Sequence, residues 1–292
     1  MFQFDYIRPA TVDEACAALA DGGKASRVIA GGTDLMVQIH ERDKRWKDLD
    51  QVVDITGLAG ELRWVRDEGE RIAIGALATH TDLECSPVIR QHLPCLSQAC
   101  ATVGSTQIRN RGTIGGSICN ASPASDPLPA LILADAQVEI QGPGGRRELP
   151  LANLYRDKGA LDLAPGELVR GFWFAKLPEG SRTAFVKLGR RKALAISRLN
   201  AAVSLLLDGE GVIREARIAP GCIFRVPART ATAEALLVGQ APTRQLFEAA
   251  GVEVSDEMIR RTGVRWSTEY KQPAVSAVVC DALTGAMGWE EE

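Results

Sequence analysis

The sequence predicts an α+β protein of two or three packed domains, and three observations carry that reading. Its 292 residues exceed the roughly 100 to 200 of one ordinary domain. Hydrophobic residues make up 46% and charged residues 24%, a composition able to bury a core. Helical and strand periodicities succeed one another along the whole chain, with no internal repeat, low-complexity tract or long linker to hold the pieces apart. A net charge of −3 without a basic stripe gives no electrostatic reason to expect nucleic acid. The opening "MFQFDYIRPATVDEA" has neither the cationic start nor the apolar run of a signal peptide, and no stretch of about 18 uncharged apolar residues occurs. The expected location is therefore the cytoplasm, with no membrane span.

Residues 1–57 read as a compact α/β unit. Thr11 with Glu14 three residues on forms a capping-box pattern, and Val12, Ala15 and Leu19 share one face of the helix that follows. The strand "SRVIAG" runs into Gly31 and Gly32, "DLMVQIHERDKR" is helical in pattern, and "LDQVVDIT" is a second strand. Glycines at the carboxyl end of a strand stand where α/β sheets tend to place ligands. Residues 58–177 form a second unit. "RIAIGALAT" alternates as a strand, Pro87 and Pro94 break the next helical stretch into pieces, and "AQVEIQGPGGRRELPL" reads as a hairpin about its glycines. Residues 178–292 form a third, α+β unit, with strands "TAFVKLG", "LNAAVSLLLD" and "VIREARIAPG" before the helical "RTATAEALLVG" and "TRQLFEAAGVEV".

Seven scattered cysteines do not make a disulfide framework and read as reduced thiols. Cys95 and Cys100 have the C-x4-C spacing that opens a plant-type iron–sulfur loop, but the third cysteine is missing, so no cluster is expected on this chain. His40, His80 and His92 have no zinc-site spacing, and no metal ligand is assigned.

The chemistry concentrates in two glycine loops. "AGGTDL" (30–35) and "TIGGS" (113–117) each follow an apolar stretch and carry a threonine, and double glycines let backbone N–H groups approach an anion closely. Either pair alone reads more readily as a bulge or tight turn; together the two fit one diphosphate. Neither matches G-x-G-x-x-G or G-K-[ST], which disfavours a Rossmann site and a nucleotide hydrolase. "NASPASD" continues the second loop, and its Asn120, Ser122 and Asp126 offer hydrogen bonds to a sugar or ribityl chain.

"IRPATVDEACAALA…VIAGGTDL", "IRNRGTIGGSICNASPASDPLPAL" and "FVKLGRRKALAISRLNAAVSL", in this order and continuing to "RWSTEYKQ", resemble the FAD-binding medium subunit of molybdenum hydroxylases, the xanthine dehydrogenase and carbon monoxide dehydrogenase flavoproteins. The resemblance implies an FAD-binding fold of the vanillyl-alcohol-oxidase (PCMH) type in two subdomains, followed by a C-terminal domain of the CO dehydrogenase flavoprotein type. It implies that FAD lies extended between the subdomains. Ile29, Ala30, Gly31, Gly32, Thr33, Asp34 and Leu35 would line it from the first loop, and Thr113, Gly115, Gly116, Ser117, Asn120, Ser122 and Asp126 from the second. Val169 joins this set, and Lys187 matches a family lysine near the flavin, where a cation would stabilise the reduced ring. Ser117 stands where the family often has Asn, a shorter arm that keeps a hydroxyl.

On this reading the chain relays electrons and carries no catalytic acid or base. The partners implied are a large subunit with the molybdopterin cofactor and a small subunit with [2Fe-2S] clusters. A soluble acceptor, NAD or another, takes the electrons. Ala193 and Leu194 stand where eukaryotic xanthine dehydrogenases carry an acidic residue that helps to admit NAD. The alternatives are a self-contained flavin oxidoreductase of the same fold, or a scaffold that has lost FAD. Arg190, Arg191 and Lys192 read equally as a solvated basic corner or a docking point, and Arg109 and Arg111 as phosphate or interface contacts. "QIRN…GGSICN" is close to bacterial xanthine dehydrogenase flavin subunits, which points to purines or related N-heterocycles as substrate of the complex; nicotinate-like heteroaromatics, aldehydes and carbon monoxide stay open.

Overall fold

A computed structural model describes residues 3–21, 25–156 and 160–289. Strand β1 (Asp5–Ile7) leads to helix α1 (Val12–Ala20), whose cap is the expected one with a variation. Thr11 Oγ1 accepts from the Glu14 N–H at 3.1 Å, while the Glu14 carboxylate reaches back one residue further, to the Ala10 N–H at 2.8 Å. Such a cap stabilises a helix by about 1 kcal/mol. Strands β2 (Ser26–Ile29) and β3 (Gln51–Asp54) flank helix α2 (Leu35–His40), and a parallel sheet forms in the order β1-β3-β2. Helix α2 is shorter than its pattern predicts. Arg42 takes a φ of +56° just past its end, and the charged run "ERDKR" offers no apolar face that would reward continuing it.

After α3 (Ala59–Leu62) come β4 (Val65–Asp67), β5 (Arg71–Gly75) and the short helices α4 (His80–Cys85), α5 (Pro87–His92) and α6 (Pro94–Ala101). Pro87 and Pro94 each occupy the first helical position, where a missing N–H costs nothing. Helices α7 (Thr106–Arg109), α8 (Ile114–Cys119) and α9 (Pro127–Leu133) precede the hairpin β6 (Gln137–Gly142) and β7 (Gly145–Pro150). Strand β8 (Leu168–Ala175) closes this part and occupies the middle of an antiparallel sheet ordered β4-β5-β8-β6-β7. Its two faces cover different cores, so "LVRGFWFA" shows little alternation and gives no clean strand pattern in the sequence.

The last part is an antiparallel sheet, β9 (Arg182–Gly189), β10 (Ser197–Leu207) and β11 (Ile213–Gly221), with β10 central. Helices α10 (Ala231–Leu237), α11 (Arg244–Thr262) and α12 (Thr268–Met287) follow, and α11 and α12 pack against each other and α12 against β9 and β10. Ala202 and Ala219 belong to the same buried cluster as Ile118, Leu131 and Phe172, so the third sheet shares a core with the second. All seven cysteines are free. Burial pushes the Cys95 thiol up to about 12 and raises Cys100 as well, making both poor ligands, and no group of metal-ligating side chains occurs among the described residues.

Candidate cofactor site

The two glycine loops meet, and Gly31 is the reason. A Cβ on Gly31 would lie 2.1 Å from the Arg111 carbonyl oxygen and 2.9 Å from Gly112 Cα, so only glycine lets the first loop rest on the approach to the second. Gly32 turns the chain with a φ of +73°, and its carbonyl accepts from the Met36 N–H to open α2. Among the described residues, the N–H groups of Gly31, Gly32, Thr33, Asp34 and Leu35 donate to no protein acceptor. Five free donors in succession, on residues that are half-buried apart from Asp34, need an external acceptor, and an anion suits them. At Asp34 the useful group is the N–H, because its carboxylate has the sign of a phosphate.

The second loop is built differently. Residues expected as an anion-binding loop instead form α8, capped by Thr113, whose Oγ1 accepts from the Gly116 N–H at 3.1 Å. Ile114 and Gly115 donate to the carbonyls of Ala78 and Ala76, and Ser117 donates to that of Thr113. Its N–H groups are therefore already used, and what this loop gives a ligand is shape. Gly115 is buried, and a Cβ there would meet Ala76 O at 2.7 Å, so its role is packing. Gly116 is exposed, and a Cβ there would meet only Thr113 Oγ1 at 3.0 Å, leaving an open face. Five backbone donors in a row suit an anion such as a diphosphate.

Beyond α8, Ser117 Oγ pairs with Ser125 Oγ at 2.9 Å, Ser122 Oγ accepts from the Ala124 N–H, and Asn120 is exposed. Asp126, only 6% exposed, is a hub. One carboxylate oxygen accepts from Ser197 Oγ and Asn200 Nδ2, and the other from Lys187 Nζ at 2.6 Å and Thr102 Oγ1 at 3.3 Å. Lys187 also donates to the Thr102 carbonyl. The aspartate and lysine expected at the cofactor thus hold each other and fasten α9 to β9 and β10. Val169 sits on β8 opposite Ile140, buried in the core beside α8. Arg109 is taken by Glu84 at 2.8 Å, Arg111 is exposed, and the Arg191 guanidinium closes its own loop on the carbonyls of Ala193 and Leu194.

Sequence reasoning did not single out His80. It starts α4, its N–H donates to the Gly112 carbonyl, and its ring lies against Gly112, directly under the loop junction. Nδ1 is buried with no hydrogen-bond partner, and burial, with Arg109 adding to it and Asp126 opposing it, pushes the imidazole down to about 4. The neutral ring therefore supports the second loop at neutral pH. A histidine following a capping threonine, Thr79, was the available signal.

The chain is similar to known proteins. Residues 2–174 match the family model of the FAD binding domain in molybdopterin dehydrogenase, and residues 184–286 that of the CO dehydrogenase flavoprotein C-terminal domain. The nicotinate dehydrogenase FAD-subunit of Eubacterium barkeri is 36% identical over 95% of this chain and 94% of its own. The xanthine dehydrogenase FAD-binding subunit of Escherichia coli O157:H7 is 32% identical over 99% of each. A solved structure of carbon monoxide dehydrogenase from Hydrogenophaga pseudoflava superposes with a TM-score of 0.88 at 29% identity, covering 98% of both chains. With its two domains matched in order along nearly the full chain, the protein belongs to the FAD-binding medium subunits of the molybdenum hydroxylase-type dehydrogenases.

Proposed function

We propose that this chain collects electrons arriving from [2Fe-2S] clusters on a small partner subunit and delivers them, through its FAD, to a soluble acceptor. A large partner subunit carrying the molybdopterin cofactor would oxidise the organic substrate. The observation that carries the reading is the row of five unspent N–H groups from Gly31 to Leu35, in a loop that packs against the approach to the second glycine loop at Arg111 and Gly112. Flavin, when bound, supplies the step from one-electron to two-electron transfer.

The chain's own residues bind and orient. The first loop would hold the diphosphate through backbone donors, with Thr33 Oγ1 beside them. Gly116 leaves room for close approach, and Ser117, Asn120 and Ser122 present polar groups to the sugar or ribityl hydroxyls. Lys187, fixed by Asp126 and the Thr102 carbonyl, brings a cation to this region without needing a proton transfer. Residues 1–57 and 58–177 serve as the two halves of the cleft and 178–292 as its third side. Relatives named for nicotinate and xanthine favour an N-heterocyclic substrate. No described helix is long and apolar enough to cross a membrane, in keeping with a cytoplasmic complex.

The reading is tested by rapid mixing of the purified complex with its heterocyclic substrate while following flavin bleaching. Bleaching should require all three subunits. Flavin reduction by substrate on this chain alone would overturn it.

A further inference from the structure

Cys222, the first residue beyond β11, adopts a φ of +65°, a left-handed conformation that a residue with a Cβ enters only at a cost. Its neighbour cannot relieve it. A Cβ on Gly221 would stand 1.8 Å from Asn200 Oδ1 and 3.0 Å from Pro129 Cγ, so the end of β11 is pressed onto the Asp126 hub. All three polar groups of Cys222 are engaged there. Its N–H donates to the Pro123 carbonyl at 3.1 Å, its thiol to the Ser197 carbonyl at 3.7 Å, and its own carbonyl accepts from Lys271 Nζ at 2.5 Å.

Two of these bonds lead to residues of the cofactor reading. Pro123 stands between Ser122 and Asp126, on a segment that is itself turned by a φ of +52° at Ala121. Ser197 donates through Oγ to the Asp126 carboxylate, which also holds Lys187. The third bond is the charged one, and a charge-assisted hydrogen bond is roughly twice as strong as a neutral one. Lys271, in the first turn of α12, is half-buried; burial, opposed by Cys222 and reinforced by Arg265 and Arg198, pushes its pKa down. The ammonium stays there against lost water and the repulsion of both arginines, and the Cys222 carbonyl is the acceptor its Nζ meets.

We infer that Lys271 is a positioning residue for the flavin: by gripping the Cys222 carbonyl it locks residue 222 in its left-handed conformation, from which the N–H fixes Pro123 and the thiol fixes Ser197. The wall from Asn120 to Asp126 and the pair of Asp126 with Lys187 are thereby set from α12, in the third unit of the chain. The proposal rests on the reading that this wall faces the cofactor. Lys271 acts through Cys222 and needs no contact of its own with the flavin.

The test is the FAD dissociation constant of the full chain, stripped of flavin and reconstituted, together with the visible circular dichroism of the bound flavin. Lys271→Met keeps the length of the side chain and removes the donor. It should weaken FAD about tenfold and shift the dichroic band, which a loss of stability alone would not move. Lys271→Arg, still a cationic donor, should restore both. Adding Cys222→Gly to Lys271→Met should recover most of the affinity, because glycine takes a φ of +65° freely. Should Lys271→Met fail to fold, Cys222→Val with Lys271 intact must show the same loss, since a branched Cβ opposes that φ. Natural FAD affinity in Lys271→Met or in Cys222→Val overturns the proposal, as does a loss in Lys271→Met that Cys222→Gly leaves unrecovered. Asn120→Ala separates this failure from that of the underlying reading. Affinity lost there but kept in Lys271→Met leaves the reading standing and the proposal fallen, whereas affinity unmoved at Asn120 sinks both.

Discussion

Gly31 and Gly116 are both members of double glycines, yet the reasons for a missing side chain differ. Gly31 is glycine because backbone stands 2.1 Å from where its Cβ would be, whereas Gly116 faces open space apart from one threonine oxygen. Gly31→Ala should therefore cost stability, about 1 to 3 kcal/mol as an overpacked contact, and lose FAD together with it. Gly116→Val should leave the unfolding transition within about 1 kcal/mol of the natural protein while emptying it of flavin. Denaturant titration alongside flavin absorbance separates the two cases; a Gly116→Val chain that keeps its flavin would make α8 a packing helix only. His80 gives a second test at this scale. Its native value of about 4 lies below the ordinary 6.5, so the unfolded chain binds a proton that the native one refuses. The neutral ring's contribution is complete above about pH 6.5 and is lost as pH falls toward about 4. About 2 kcal/mol should disappear between roughly pH 7 and pH 5, and His80→Gln should flatten that part of the stability profile.

At the scale of elements, the hub at Asp126 ties three of them. Removing the carboxylate leaves the Lys187 ammonium, 12% exposed, without its counter-charge, so Asp126→Ala should cost about 3 kcal/mol or more. Adding Lys187→Met should restore part of that loss, because the second change removes the stranded charge; additive losses in urea unfolding would show that the pair is not coupled. Much of the element order was legible. The cap at Thr11, the breaks at Pro87 and Pro94, and the Gly142 to Gly145 hairpin are local signals, and the chain obeys them. Strand β8 and helix α12 were not legible, since both are buried on more than one side and their apolar residues follow neither period cleanly. The second glycine loop misled for a related reason. Gly115 and Gly116 weaken helix propensity, but the Ala76 carbonyl takes the Gly115 N–H, the Thr113 cap takes that of Gly116, and Ala78 holds the preceding Ile114, so a helix forms.

Over the whole molecule, the order of the two glycine loops and the third sheet was readable because each carries its own motif. Which loop supplies donors was not, because that depends on where carbonyls far along the chain fall: Ala76 and Ala78 serve the second loop, and none among the described residues serves the first. The pairing of Asp126 with Lys187 across 61 positions was hidden for the same reason. The third sheet shares the core of the second through Ala202 and Ala219, and Val53 of β3 shares a cluster with Leu168 of β8, so the three sheets are linked through their cores. Flavin bound to the native chain and not to the unfolded one should raise its thermal midpoint in proportion to the logarithm of free FAD. The central claim, that backbone from Gly31 to Leu35 holds the diphosphate of a flavin dinucleotide, is tested most directly by an absorption spectrum of the purified chain followed by chromatography of the cofactor released on heating. Flavin bands and FAD in about equal amount to protein are the result expected. A colourless chain that takes up no added FAD, or one that releases FMN, which lacks the diphosphate, would contradict it.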